Sequence, residues 1–304
     1  LLFNVVVGLL LPVACIDFPW VDGCLGRCVG GLRQLLFLHI AAGHIWKLLT
    51  LSFIPPTIAG MVLCYKGRYL PGIIVTALFT ALQILSNHVQ MTYYFLFVMG
   101  FMLLAYLADA IKKHTLGRWT KATACFAVGG LLGIAINMSN LYHTWEYSKE
   151  SMRGKSELTQ KTKNPADQTS SGLERSYITM WSYGLGETWT LLVPNTKGGA
   201  SMPLAASKTA MEHANANYSP IYQAFTQYWG EQPGTSGPVY VGAFVLMLFI
   251  LGLFIVRGPM KWCLLAATIL SILLSWGKNF MGFTDFFLDY VPMYDKFRTC
   301  LLYT

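Results

Sequence analysis

Long apolar runs separated by short polar breaks dominate the chain, a pattern that predicts helices crossing a membrane. The longest run, from about residue 70 to residue 108, far exceeds the roughly 20 residues that a helix needs to cross a bilayer of about 30 Å. A polar segment containing Ser86, Asn87, His88 and Gln90 interrupts this run. We therefore predict that the chain turns there, between two membrane spans.

The same pattern predicts spans at 48–65, 69–85, 91–110, 123–138, 240–256 and 262–276. Pro55 and Pro56 lie inside the first of these, and because proline lacks a backbone donor they predict a kink or break in that helix. In domain terms, the pattern predicts transmembrane helices in 1–139, an extracytoplasmic loop region at 140–238, a transmembrane helix pair at 239–276 and a further extracytoplasmic loop at 277–304.

Composition supports a polytopic membrane protein of the all-α class. Hydrophobic residues make up 54% of the chain and charged residues only 12%, whereas charged residues are about 25% of soluble proteins. The formal charge is +8, but the basic residues form short clusters between apolar runs and no stripe along one face. This arrangement argues against nucleic acid as a partner and indicates the lipid bilayer instead.

The basic clusters also predict the orientation of the chain in the membrane. The connections at 66–68, 112–121 and 257–261 contain lysine and arginine and no acidic residue. Cytoplasmic loops are enriched in these residues, and the three connections occur at every second position between spans. We therefore predict that 43–47, 86–92, 140–238 and 277–298 lie together on the extracytoplasmic side.

Cysteines and glycine motifs exclude several kinds of site. None of the seven cysteines lies in 140–238, so no internal disulfide is predicted in that region. Cys24 and Cys28 form a pair, but no histidine or second cysteine pair at metal-site spacing supports a metal. The chain has no glycine-rich strand-turn-helix motif for phosphate, which argues against direct use of a nucleotide sugar or ATP.

The region 140–238 has soluble character and is rich in aromatic residues, and its acidic and basic residues balance. Two interpretations of the aromatic residues remain open. They form either a belt at the membrane interface, where Trp and Tyr are enriched, or a platform that stacks on sugar rings. The aromatic residues are Tyr177, Trp181, Tyr183, Trp189, Tyr218, Tyr222, Phe225, Tyr228 and Trp229.

Six ordered motifs between about residues 39 and 299 carry a family resemblance: AAGHIWK at 41–47, SNHVQMTYY at 86–94, LVPNTKGG at 192–199, YWGE at 228–231, GPVYVG at 237–242 and MYDKFR at 293–298. With these motifs the chain resembles the bacterial YfhO family of membrane proteins in its Bacteroides-type form. The resemblance implies a GT-C-like helical bundle with a large extracytoplasmic loop region, located in the bacterial cytoplasmic (inner) membrane.

The resemblance also implies an activity. The chain would be a glycosyltransferase that moves a sugar from a polyprenyl-phosphate carrier to a cell-envelope glycan or lipid on the extracytoplasmic side. The lipid-linked sugar would be the donor, and no further cofactor is identified. A divalent metal is compatible with this chemistry, but no residue pattern supports one.

The chain departs from the family in two ways. Family members begin earlier, with a span and an outer loop that carries the acidic residue expected to act in catalysis, and they continue further, so we expect this sequence to be an internal fragment without that loop. The family also places an apolar helix where residues 16–38 contain Cys24, Arg27, Cys28 and Arg33. We expect a reading-frame error or local divergence there, and again at 300–304.

Three basic residues could bind the phosphate of a lipid-linked donor. His44 and Lys47 lie one turn apart if the segment is helical, and both could point at a phosphate. The alternative is that Lys47 extends to the membrane interface and His44 caps a helix. Arg298 is a further phosphate ligand in this hypothesis, and its alternative is an ordinary surface ion pair beside Asp295.

The polar turn between the two spans is a second predicted binding element. Asn87, His88 and Gln90 place two amides and an imidazole in one short outer segment. A turn needs an asparagine but not all three groups, which favours a substrate-binding role.

The outer loop region supplies weak predictions for the remaining roles. Glu187 and Glu231 each follow a glycine and lie beside aromatic residues, so either could position an acceptor hydroxyl, although a lone loop glutamate is more often solvated. Trp189 and Trp229, next to these acids, are predicted to stack on a sugar. The catalytic base itself remains unassigned.

Two other classes of function remain open. A transporter or flippase of lipid-linked glycans would also need polar groups and kinked helices such as that at Pro55 and Pro56. A non-catalytic envelope assembly subunit would not need the crowded polar turn. The polar groups cluster at the predicted outer ends of spans, which suits chemistry at the membrane surface better than passage through it.

Overall fold

Apolar helices joined by short turns form most of the computed structural model, which describes residues 45–151, 167, 169, 173–234, 237–238 and 240–298. The chain divides into two compact units. The first, the helical unit, comprises Leu2–Ser151 and Leu248–Leu270, and the second, the loop unit, comprises Met152–Met247 and Ser271–Thr304.

The helices of the helical unit follow the predicted spans closely. They are α1 (Ile45–Ser52), α2 (Ile54–Tyr65), α3 (Tyr69–Leu85), α4 (Val89–Lys112), α5 (Leu116–Ile136) and α6 (Met138–Lys149). The predicted turn between two spans is confirmed, because α3 ends at Leu85 and α4 begins at Val89. The start of the predicted span at 123–138 was wrong by about two turns, since α5 begins at Leu116 despite Arg118 and Lys121 in its first turns.

The predicted proline break lies between α1 and α2. Pro55 and Pro56 occupy the first turn of α2, where the backbone N–H groups have no partner within the helix in any case. The break is mild, because 46–65 still forms one apolar helical stretch of 20 residues.

Among the described residues, three stretches are long and apolar enough to cross a membrane: Trp46–Tyr65, Val89–Lys112 and Leu116–Ile136. A bent helix pair late in the chain is a fourth if the pair counts as one span. The protein is therefore a predominantly helical membrane protein.

A cluster of buried apolar residues holds the helical unit together. It joins Ile54, Ile58 and Met61 of α2 to residues of α4 and to Leu264. The α4 members are Phe95, Val98, Met99 and Met102. On the other side of α2, helices α3 and α5 pack through small residues, as membrane helices without a strong hydrophobic driving force do.

The loop unit is built from short elements. They are α7 (Arg175–Thr179), a 3-10 helix (Leu185–Leu191), β1 (Gly198–Pro203), a 3-10 helix (Leu204–Ala206), α8 (Lys208–Glu212), a 3-10 helix (Ala216–Tyr218), α9 (Ser219–Ala224) and β2 (Thr226–Tyr228). Strands β1 and β2 pair antiparallel, with Gly198 opposite Tyr228 and Pro203 opposite Thr226. The longer spacing on β1 shows that this strand is bulged. The small sheet was not part of the all-α prediction.

The last part of the chain contains α10 (Ala243–Ile255), α11 (Met260–Ser275), a 3-10 helix (Gly277–Phe280), α12 (Met281–Tyr290) and a 3-10 helix (Tyr294–Lys296). Helices α10 and α11 correspond to the predicted helix pair. The region from 277 onward was predicted only as a loop, but its described part is largely helical.

Candidate functional site

The predicted site residues fall into two groups that belong to different units. Lys47, Asn87, His88 and Gln90 lie in the helical unit, and His44 lies outside the described residues. The loop unit contains the other group: Glu187, Trp189, Trp229, Glu231 and Arg298.

In the helical unit, the polar turn has a clear local explanation. Asn87 adopts a left-handed backbone with φ of 53°, and its N–H donates to the carbonyl of Ile84 at 2.9 Å, which ends α3. The carbonyl of His88 accepts from the N–H of Met91 at 3.0 Å and so begins α4. Asn87 is therefore the residue that the turn requires. His88 precedes α4 as its N-cap residue and Gln90 lies in its first turn, and both are half-buried.

Lys47 lies on α1, which packs against both α3 and α4. The structure thus places Lys47 on a neighbour of the helix that begins after His88 and bears Gln90. Lys47 is half-buried, with the adjoining Trp46 exposed.

In the loop unit, Glu187 is a buried structural carboxylate with 1% of its surface exposed. Its Oε2 accepts from the N–H of Gly184 at 2.6 Å, and its Oε1 accepts from the N–H of Glu231 at 2.9 Å and from the hydroxyl of Tyr228. Hydrogen bonds from backbone amides are the usual way in which a buried carboxylate is stabilised. Glu187 therefore ties the 184–187 turn to the segment that follows β2.

A glycine makes this connection possible. A Cβ atom at Gly230 would overlap Oε1 of Glu187 and the hydroxyl of Tyr228. The hydroxyl of Tyr228 also accepts from the N–H of Gln232 at 3.1 Å, and Nε2 of Gln232 donates to the carbonyl of Trp181 at 2.7 Å. The backbone around Glu231 is thus held from both sides by buried hydrogen bonds.

Glu231 differs from Glu187 because its side chain remains 46% exposed. Its Oε2 accepts from Nδ2 of Asn279 at 3.0 Å and lies 3.4 Å from Nζ of Lys278. Asn279 is itself fixed, since its Nδ2 also donates to the carbonyl of Tyr183 at 2.8 Å. The structure therefore presents a carboxylate to solvent in a defined orientation.

Lys197 and Trp229 flank the small sheet, Lys197 just before β1 and Trp229 just after β2. The N–H of Trp229 donates to the carbonyl of Lys197 at 2.8 Å. The side chain of Lys197 crosses Gly186, with Nζ 3.4 Å from the position that a Cβ would occupy there. In the same way, Oε1 of Glu231 lies 3.0 Å from a Cβ position at Gly184 in the same turn.

The tryptophan adds an exposed aromatic surface. Trp229 is 67% exposed and its ring stacks on Phe225, with centroids 6.1 Å apart and 18° between the planes. We call the set of Lys197, Trp229, Glu231, Lys278 and Asn279 the Glu231 cluster. It combines one carboxylate, two ammonium groups, one amide and one indole from three segments of the loop unit, of which Lys278 and Asn279 contact the carboxylate directly.

The other two predicted residues of the loop unit lie outside this cluster. The guanidinium of Arg298 lies 4.4 Å from the ring centroid of Tyr177, and its Nη2 donates to the hydroxyl of that residue. Trp189 is 63% exposed and follows Thr188, whose Oγ1 accepts from Nε1 of Trp276 at 2.8 Å.

Of the Glu231 cluster, Glu231 and Trp229 were named as candidates from the sequence, and Lys197, Lys278 and Asn279 were not. Asn279 is 48 residues from Glu231 in the chain, and such a distant partner leaves no local pattern. The one local signal in the sequence was the glycine before each glutamate, Gly186 before Glu187 and Gly230 before Glu231. Glycine often occurs where another segment approaches the backbone closely. Within the described ranges, no group of three His, Cys, Asp or Glu side chains could hold a metal ion.

Comparisons of the chain with protein-family models, with curated proteins and with solved structures find no match. The chemistry of the Glu231 cluster is therefore interpreted from its geometry.

Proposed function

We propose that this protein is a GT-C-like glycosyltransferase that moves a sugar from a polyprenyl-phosphate carrier to an envelope glycan or lipid at the extracytoplasmic face of the bacterial inner membrane. The resemblance to the YfhO family suggests this reaction. The observation that carries the proposal is the half-exposed carboxylate of Glu231, whose Oε2 contacts both Lys278 and Asn279, two residues after the exposed Trp229.

Glu231 acts as the general base in this proposal. The acceptor hydroxyl gives its proton to the carboxylate of Glu231 as its oxygen forms a bond to the anomeric carbon of the donor sugar. The bond between that carbon and the phosphate oxygen breaks, and the polyprenyl phosphate leaves with the electron pair. Glu187 cannot take this role, because its carboxylate is buried and bonded to three donors.

The two lysines of the cluster suit the leaving phosphate. An ammonium group stabilises the negative charge that develops on a departing phosphate more strongly in the transition state than in the ground state. The backbone N–H of Lys278 donates to Oγ of Ser182 at 2.9 Å, and its Nζ lies 3.4 Å from Oε2 of Glu231.

Trp229 and Asn279 suit the sugar. An indole ring that is stacked on Phe225 on one side and exposed to solvent offers a flat apolar surface to the C–H face of a pyranose. The amide of Asn279 can hydrogen-bond a sugar hydroxyl. These roles extend the predicted stacking role of Trp229.

Glu231→Gln tests the proposal directly. We expect the full-length protein in proteoliposomes, supplied with polyprenyl-phosphate sugars, to lose roughly 10²- to 10⁴-fold in the rate of sugar transfer, the usual contribution of a general base. The matched control is Glu212→Gln, because Glu212 is an exposed glutamate at the end of α8 and should keep full activity. Equal rates for both variants would exclude Glu231 as the base.

A further inference from the structure

The end of the described chain bends sharply after an apolar helix. Helix α11 is followed by the Gly277–Phe280 turn, and the helical segment Gly277–Tyr290, which contains α12, runs at 107° to α11. Backbone hydrogen bonds lie at this bend: the N–H of Asn279 donates to the carbonyl of Trp276 at 2.7 Å, and the N–H of Tyr183 donates to the carbonyl of Ser275 at 2.8 Å. Within the second segment, Oγ1 of Thr284 donates to the carbonyl of Gly277 at 2.9 Å. Because α11 corresponds to the predicted span at 262–276, a helix at this angle to it runs along the membrane surface.

Helix α12 has two different faces. Thr284, Phe287 and Leu288 are buried on the inner face. Phe286 and Tyr290, four residues apart and therefore on one side of the helix, are 53% and 74% exposed. Phe280 before the helix and Met293 after it extend this apolar surface, at 42% and 50% exposed.

Charged groups along α12 limit how deeply the helix can lie in the bilayer. Arg175 binds Asp285 through Nε at 3.0 Å and Asp289 through Nη2 at 2.9 Å. Both carboxylates remain partly exposed, at 40% and 49%. Charges in contact with the surroundings are costly in the hydrocarbon core, so α12 does not lie there. They are readily solvated among lipid headgroups.

We propose that α12 lies in the interface of the lipid bilayer, with Phe286 and Tyr290 inserted at the boundary between headgroups and acyl chains. The ring of Tyr290 with its polar hydroxyl is favoured at this depth, and the ring of Phe286 contributes apolar area whose burial stabilises an amphipathic helix there. The bilayer is the occupant of this face because α12 directly follows α11, and the two helices together form an apolar pair with the length and composition of a membrane-associated segment.

The charge of the helix indicates which lipids are required. Arg175 offsets part of the negative charge of Asp285 and Asp289, and α12 itself contains no lysine or arginine that would attract anionic lipids. Contact with a zwitterionic membrane is therefore sufficient. This inference is independent of the proposed glycosyl transfer, since it concerns only how the helix sits on lipid.

Spin labels on the exposed face test the proposal. Phe286→Cys and Tyr290→Cys are made in full-length protein whose native cysteines are replaced by serine, labelled with a nitroxide and reconstituted into phosphatidylcholine vesicles. The measurement compares collision rates with oxygen, which partitions into lipid, and with a water-soluble nickel chelate. Two references bracket the result: Leu104→Cys on the exposed side of α4 for lipid, and Lys208→Cys on exposed α8 for water.

We expect both α12 labels to show an oxygen-to-nickel ratio several-fold higher than that of the label at 208. A ratio equal to that at 208 would place the face in water and overturn the proposal. Low collision rates with both reagents would also overturn it, because they would show that protein covers the face. Correct assembly of each labelled variant is checked by its elution volume in detergent before reconstitution.

Discussion

At the scale of single residues, the two glutamates of the loop unit show how neighbouring acids acquire different roles. Glu187 and Glu231 share a hydrogen bond, yet Glu187 is buried and Glu231 is half-exposed. Burying a carboxylate costs several kcal/mol unless donors replace its water, and Glu187 has three such donors. The buried carboxylate of Glu187 thus holds the backbone of Glu231 in place by accepting a hydrogen bond from its N–H.

The hydroxyl of Tyr228 is the donor whose removal tests this support. Tyr228→Phe leaves Glu187 with one donor fewer and removes the acceptor of the Gln232 N–H. We expect a loss of about 1–3 kcal/mol in the free energy of unfolding, the usual cost of an unsatisfied buried polar group. Thermal unfolding of the protein in detergent would show it as a lower Tm.

Tyr218→Phe is the control for this variant, because Tyr218 is 53% exposed. Its hydroxyl can bond to water in the folded protein, so its removal should leave the Tm unchanged. A Tm that fell equally in both variants would show that the hydrogen bond to Glu187 contributes no more to the stability of the protein than an exposed hydroxyl does.

At the scale of elements, glycines decide how closely two membrane helices approach. Gly129 and Gly133 lie on the side of α5 that faces α3, and a Cβ at Gly133 would stand 2.7 Å from Cβ of Thr80 and 2.8 Å from the carbonyl oxygen of Ala77. Asn137 completes the contact, since its Nδ2 donates to the carbonyl of Ala81 at 3.0 Å. Lipid tails are as apolar as leucine, so such close packing is what holds membrane helices together.

Gly133→Leu should separate α3 from α5. A larger side chain at a closely packed position typically costs 1–3 kcal/mol or more, in excess of the roughly 1 kcal/mol that leucine gains over glycine in a helix. We expect a lower midpoint of thermal aggregation in detergent for this variant.

Gly130 offers the matched control on the same helix, because a Cβ there would meet nothing within 4 Å. Gly130→Leu gains the same helix propensity without a clash, so its midpoint should equal or exceed that of the unmodified protein. The packing argument would be refuted if both leucine variants behaved alike.

At the scale of the whole molecule, the lysine and arginine residues in the turns indicate an orientation in the membrane, which we propose here. The turn after α2 exposes Lys66 and Arg68, and the next turn with the same charge lies after α4, at Lys112 and Lys113. The turn between α3 and α4 contains no lysine or arginine. This alternation is the one that cytoplasmic and extracytoplasmic connections of membrane proteins display.

Reporter fusions test the orientation. Alkaline phosphatase depends on disulfides that form only outside the cytoplasm, so it reports which side it occupies. Fused after Gln90 in the full-length gene, it should be active, and fused after Lys113 it should be inactive. The reverse pattern would invert the proposed topology.

Much of the helical unit was predictable because the thickness of the bilayer sets the length of each apolar run. Helix α3 has the predicted bounds, and the turn at Asn87 lies where the apolar run is interrupted. The elements that were not predicted are those whose formation does not depend on the thickness of the bilayer. Strands β1 and β2 are stabilised by pairing with each other. Helix α12 is stabilised by the burial of one face, which includes Phe287 and Leu288.

The sequence by itself determined that this chain is a helical membrane protein and where most of its spans turn, since transfer into lipid depends on local composition and length. It also indicated glutamates beside glycines and tryptophans as the chemically interesting residues. Only the tertiary structure decided that Glu187 is buried and Glu231 is presented to solvent, and only it supplied Lys278 and Asn279 as neighbours of Glu231. Burial and pairing of polar groups depend on contacts between distant segments, which local sequence does not specify.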